Sequence, residues 1–532
     1  MNSPLPHSPE GLHQPHTPAT LSSDDIALPA EGSIAIDIGT PVRARPFDFR
    51  GDSNSSFRWA AAGLVGLILF CVALQLAGPL AMLGRHISLN NNEGWNAYWT
   101  TRALAGQPIY TDAASPLTNN YPPLSFYIVG WLGQAIGDLV LAGRLFSLVG
   151  LFGATAMVGL IARRIGKDKR WAWSGAALFL LVAVSMAPRY LAADDPQWLA
   201  EATQLLALWM VIPSKTGTPK RARLIGACLV LLATGLIKHN QLALPIAITL
   251  ALAIHDRRGL AVWMATAIIG LALALGTLHV IYGPAFIDQV LHHQRTLNLR
   301  YFFSAMVSLS YLVPASIIIA IYLPRLRGWR HDFRLTTLSL FAALAIILGI
   351  LQRFGAGVSQ NAHFDAIIGV AILLGVVLSS LSSRELSTAT RLALMTLAIA
   401  PAAGKDLVNI PNRVDDWREL ARTDEEWSDA IRFLAAQPGP IACERPALCY
   451  WAGKPYQLDF FNYGQKLRLG HDPWDLRDRL ARREFSAIVV IRDRAAKGRD
   501  PRLPTDYYDL INANYRVERV LPDDIYVMVP AA

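Results

Sequence analysis

The sequence predicts a mainly α, polytopic helical membrane protein with about 11 transmembrane helices, followed by a small C-terminal extracytoplasmic α/β domain. Three observations predict it. Of 532 residues, 53% are hydrophobic and only 17% are charged, against about 25% charged in ordinary soluble domains; the mean hydropathy is +0.31. Long uncharged runs recur, the first being WAAAGLVGLILFCVALQLAGPLAML at 59–83, and about 20 apolar residues suffice for a helix to cross a bilayer. After residue 404 the apolar runs shorten to strand length and alternate with helical patterns.

In chain order, residues 1–57 are rich in Pro, His, Ser and Asp without apolar periodicity. They read as a disordered cytoplasmic tail, too long and polar for a signal peptide. The part 58–404 is the membrane domain. Its orientation follows from Lys and Arg, which concentrate in cytoplasmic loops. The basic loops are 162–170, 213–223, 255–258, 324–334 and 382–391. Placing all of them inside gives spans near 59–83, 139–161, 171–188, 197–212, 222–237, 241–254, 259–282, 302–323, 335–351, 364–381 and 388–404. The short segment 122–137, which opens with two prolines, then lies in the interface within the first extracytoplasmic loop, 84–138. The N-terminus is expected in the cytoplasm and the chain in a bacterial inner membrane. The net charge of +9 and pI near 9.4 come largely from these loops, which argues for membrane lipids as neighbours and against nucleic-acid binding.

An odd number of spans carries residues 405–532 outside. There SAIVVIR (486–492) and DIYVMVP (524–530) alternate with helical patterns at 424–437 and 473–485, with no nucleophile, glycine-rich phosphate loop or ligand cluster. Of four cysteines, Cys71 and Cys228 fall inside spans as small apolar residues. Cys443 and Cys449 flank ERPAL, and an oxidising outer compartment favours their pairing.

This topology collects the reactive residues on the outer side. Glu93 stands in a polar loop among aromatics, directly after the first span. Asp194 and Asp195 precede Pro196 at a helix start, where carboxylates also serve as caps. Lys238 and His239 end an otherwise apolar span, where a lysine also snorkels to headgroups. Arg295, Arg300 and Tyr301 precede another span, and Asn361, His363 and Asp365 enter the next outer segment. His363 with Asp365 lacks a third ligand at convincing spacing, so a divalent metal is a minority expectation and no metal ligand is assigned.

EGWNAYWTTRALAGQPIYTD, then YPPLSFYIVGWL, then GRLFSLVG (143–150) resemble the first outer loop and following span of the GT-C superfamily of membrane glycosyltransferases. The likeness is to the protein mannosyltransferase and aminoarabinose transferase-like branch. The acid, Tyr98, Gly106 to Tyr110 and the PPL turn come in order, and the resemblance runs from about 59 to 404. One departure stands out: many members carry an acidic pair in this loop, whereas here Asn92 precedes Glu93. The resemblance implies an inverting transferase that takes a sugar from a polyprenyl-phosphate donor to a lipid, glycan or protein acceptor, on the extracytoplasmic face. It maps Glu93 and Asp194 or Asp195 onto the acids. Beside them Lys238 supplies a cation for the phosphate that leaves, and Arg295 and Arg300 either contact that phosphate or anchor the helix at the headgroups. Tyr98, Tyr121, His239, Asn361 and His363 would contact substrate. Alternatives from other classes are a multi-span transporter and an inactive scaffold with this fold.

Overall fold

In the computed structural model, residues 53–292, 295–492 and 500–531 are described; the expected N-terminal tail falls outside them. Helices α1 (Ser53–Ala81), α2 (Asn91–Leu104), α3 (Leu124–Ile136), α4 (Leu139–Ile165), α5 (Trp173–Met186), α6 (Gln197–Val211), α7 (Arg221–Ile237), α8 (Ala243–His255) and α9 (Arg257–Tyr282) come first. A short turn, α10 (Pro284–Phe286), is followed by α11 (Leu299–Leu309), α12 (Val313–Tyr322), α13 (Phe333–Gln352), α14 (Phe364–Ser380), α15 (Thr388–Val408) and α16 (Ile410–Ala436).

Every expected span coincides with helix, yet only six helical stretches among the described residues are long and apolar enough to cross a membrane by themselves, or seven with the bent pair α15 and α16. Length explains the difference. At 1.5 Å per residue the 15 residues of α6 reach about 22 Å, short of a ~30 Å hydrocarbon core. The segment after the double proline is a helix of 13 residues, also too short. The span expected at 302–323 falls within one crossing-length stretch, Leu299–Arg325, which contains a 3₁₀ turn at Ser310–Leu312. Helix α14 is the centre of the bundle, 94% of its apolar window buried, whereas α9 is peripheral at 6%. A helix that is apolar all round needs such a position.

The C-terminal part holds a four-stranded sheet in the order β1-β2-β4-β3, from β1 (Ile441–Cys443), β2 (Ala487–Ile491), β3 (Tyr515–Leu521) and β4 (Ile525–Pro530). Strands β1 and β2 are parallel, and the other pairings are antiparallel. Apolar residues fill both faces of the sheet, the burial that parallel pairing demands. Around it lie α17 (Pro446–Trp451), α18 (Phe460–Arg468), α19 (Leu476–Ala481) and α20 (Thr505–Asn514). Cys443 and Cys449 are joined by a disulfide, which fastens α17 to the end of β1.

Candidate active site

The first outer loop is built around one buried ion pair. Asn90 caps α2 by accepting from the amides of Asn92 and Glu93, as a short polar side chain does at a helix start. This turns Glu93 inward, where it is fully buried. Arg144 of α4 donates to both of its oxygens, Nε to Oε1 at 2.8 Å and Nη2 to Oε2 at 3.1 Å. The amides of Leu89 and Asp194 take the remaining acceptor positions. Arg144 also donates to the carbonyls of Met82, Leu83, Arg85 and Ile87, so one guanidinium gathers the end of the first span, the loop and the second acidic turn. Glu93 does not line the main cavity.

Asp194 and Asp195 lie in a turn where Ala192 takes a left-handed conformation at φ 49°, uncommon for a side chain other than glycine. Their environments differ. Asp194 is directed at α4, where a Cβ added to Gly143 would stand 1.9 Å from its Oδ1. Burial, then the negative charges of Glu93 and Asp195, push its carboxyl well above the usual range, which favours its protonated form. Asp195 accepts from Asn92 Nδ2 at 2.6 Å and from the Gln197 amide at 2.9 Å, and pairs with Lys238 Nζ at 3.5 Å.

Lys238 follows the last residue of α7, where the chain leaves the apolar bundle. Its ammonium is 4% exposed and makes no hydrogen bond among the described residues. Besides Asp195 its neighbour is Tyr121, whose ring centroid is 3.5 Å from Nζ. Burial pushes the ammonium down to about 8, against the opposing pull of Asp195. Lys238 lines a cavity of about 1670 Å³ with Tyr121, His239, Arg295, Arg300 and Asn361, so six of the residues expected at a site share one chamber. Arg295 donates to the Ala356 carbonyl, and Asn361 accepts from Tyr190 Oη and donates to Gln197. Arg300 is exposed at the wall.

The other expectations land elsewhere. Tyr98 lies outside the cavity lining, stacked on Tyr456 at 4.8 Å and donating to the Lys454 carbonyl; it packs α2 against the C-terminal part. His363 is wholly buried and also off the lining. It ends a 3₁₀ turn just before α14, whereas Asp365 accepts from Gln204. Among the described residues no group of three or more His, Cys, Asp or Glu is placed to hold a metal.

Sequence reading missed Arg144, although a lone arginine near the start of an apolar 27-residue helix is itself a signal. It also missed Glu201, an acid in the middle of an expected span, which accepts from Gln197 and Gln204; intramembrane acids are rare and positioned. The C-terminal contribution to the cavity, including Glu444, Asp459 and Asn462, had no local signal at all.

No family model matches the chain, and no curated protein matches it. Solved structures do. ArnT from Cupriavidus metallidurans bound to undecaprenyl phosphate is 12% identical with a TM-score of 0.53, covering 89% of this chain and 98% of its own. The same protein in the apo state gives 13% and 0.55, over 89% and 99%. The apo oligosaccharyltransferase of Archaeoglobus fulgidus gives 13% and 0.53, over 89% of this chain and 74% of that one. At such identity the likeness is one of architecture, and it spans both the helical bundle and the C-terminal part: this integral membrane protein has the fold of the GT-C glycosyltransferases.

Proposed function

We propose that the protein is an inverting glycosyltransferase that moves a sugar from a polyprenyl-phosphate donor to a lipid, glycan or protein acceptor on the extracytoplasmic face. The observation that carries this reading is Lys238, a buried cation without a hydrogen-bond acceptor of its own, at the wall of a large chamber that also receives Arg295. A buried charge left so is costly unless a ligand completes it, and the ligand it suits is an anion. The ArnT structure, with undecaprenyl phosphate bound, suggests which kind.

In this reading Asp195, which stands behind the cavity lining against Lys238 and Asn92, takes the proton of the acceptor hydroxyl as that oxygen attacks the anomeric carbon. The bond from that carbon to the phosphate oxygen breaks, its electron pair stays on the oxygen, and the lipid phosphate leaves with one more negative charge. Lys238 and Arg295 stabilise that charge; a cation ~4 Å away at an effective dielectric of about 20 is worth about 4 kcal/mol. Glu93, occupied by Arg144 and two amides, positions the turn that holds Asp195 rather than moving protons itself.

Binding of undecaprenyl phosphate to the purified protein in nanodiscs tests the reading. The ammonium must be charged to hold the phosphate, and charge is lost as pH rises through about 8, so affinity should fall from that pH upward. Lys238→Arg should move the fall to higher pH, and Lys238→Met should weaken binding about tenfold or more at neutral pH. Undiminished binding by a folded Lys238→Met protein, or none by the wild type, would sink the proposal.

A further inference from the structure

Away from Lys238 the chamber wall becomes aromatic. Tyr121, whose ring carries the ammonium, meets Trp95 edge to face with ring centroids 4.8 Å apart. Trp95 and Tyr456 both line the cavity. Trp95 is held in place by its indole N–H, which donates to Asp459 Oδ2 at 3.1 Å. Asp459 in turn caps α18 through the amides of Phe461 and Asn462, so all of its acceptor capacity is spent on fixing the wall. Next to it Asn462, 5% exposed and also on the cavity, donates through Nδ2 to Asp459 Oδ2 at 2.6 Å. Its Oδ1 accepts no hydrogen bond among the described residues.

We propose that Tyr121, Trp95 and Tyr456, with Asn462 Oδ1, form the seat of the donor's sugar, and that they select a hydroxyl-bearing ring; this rests on the lipid-phosphate reading above. A sugar is one oxygen away from its phosphate. A phosphate held by Lys238, on the face of Tyr121, therefore sets the ring against the neighbouring aromatic, Trp95. Sugar rings present C–H faces and O–H edges, which suit an apolar aromatic wall with a few fixed polar groups. The buried Asn462 oxygen lacks a donor, and a site with such an unmet acceptor favours a ligand that brings an O–H over one that does not. The alignment of that oxygen is not left to chance, because the amide nitrogen on the same carbon is tied to Asp459. The seat draws on both parts of the chain, Trp95 from α2 and Asn462 from α18.

The test is competitive binding in nanodiscs, read by native mass spectrometry, between bare undecaprenyl phosphate and undecaprenyl phosphate carrying glucose, mannose or galactose. Wild-type protein should prefer at least one sugar-bearing lipid to the bare one by roughly tenfold. Asn462→Ala and Trp95→Phe, the second keeping an aromatic in the packed position, should each bring that ratio to within about twofold of one while still binding the bare lipid. A wild-type ratio near one, or a preference that survives both substitutions, overturns the sugar seat and leaves the phosphate site standing. Failure of the wild type to bind any of the four lipids overturns both.

Discussion

Glu93 and Asp195 carry the same carboxylate in different surroundings, one held by Arg144 and the other beside Lys238. Glu93 is spent on Arg144, and breaking a buried pair by removing one partner typically costs 3–5 kcal/mol. Glu93→Gln should therefore lower stability by roughly 3 kcal/mol, seen as a fall in thermal unfolding temperature in detergent, besides any loss of transfer. Unchanged unfolding would mean that the pair contributes nothing net. Asp194 and Asp195 should separate cleanly. Asp194→Asn imitates the protonated acid and is expected to keep transfer, whereas Asp195→Asn should cost a factor of about 10² to 10⁴ in turnover. The pH dependence of stability gives a second readout. Because the folded protein binds the Asp194 proton more tightly than the unfolded chain does, its contribution is present at low pH and is lost as pH rises above the ordinary carboxylate range. Asp194→Asn should flatten that decline; a decline of undiminished slope would assign it to other groups. The sequence marked both acidic sites and Lys238 because charged residues beside apolar runs are conspicuous. It could not assign their roles, which depend on Arg144, Gly143 and Asn92 standing opposite.

At the scale of elements, apolar runs and basic loops located each helix of the bundle. Six stretches among the described residues are long and apolar enough to cross alone; α5, α6, α7 and α8 are shorter, and a helix shielded by neighbours need not span the full apolar depth alone. The 3₁₀ turn at Ser310–Leu312 does carry a local signal, Pro314 at the start of α12, since proline cannot donate within a helix. In the C-terminal part strand-length runs at 486–492 and 524–530 gave β2 and β4 directly. Strand β3 was harder to see: only its ends are buried and its middle is exposed, so it lacks a clear alternation. The disulfide fastens α17, whose Ala447 backbone lies against Gly94 of α2; a Cβ on Gly94 would stand 2.0 Å from the Ala447 nitrogen. Cys443→Ser should cost roughly 2 kcal/mol for a loop of this size, measured by chemical unfolding of the reduced-and-blocked protein against the oxidised one. Equal stabilities would show that packing alone holds α17.

For the whole molecule the orientation is the claim most exposed to experiment. Basic loops inside place the first outer loop and the C-terminal part together on the other face, which the shared chamber requires in any case. Cysteines introduced at Ala114 and Thr505, both exposed, should react with an impermeant thiol reagent in intact cells, and one at Thr216, also exposed, should not. Labelling at Thr216 with protection of the other two would invert the protein and move the chamber to the cytoplasm. The sequence implied this layout from charge alone, but nothing in it singled out Asp459 and Asn462, which line the chamber.

The fit of α17 onto Gly94 also bears on how such a protein can be rebuilt or diversify. A designer who grafts the C-terminal part of another protein of this fold onto the bundle exchanges one wall of the chamber and, at the same stroke, the surface on which α2 rests. Bundle and C-terminal part are thus not interchangeable cassettes: a working chimera has to carry the stretch from Asn90 to Ala103 along with the segment it touches, and lineages that acquire new substrates by recombination are constrained to break the chain elsewhere.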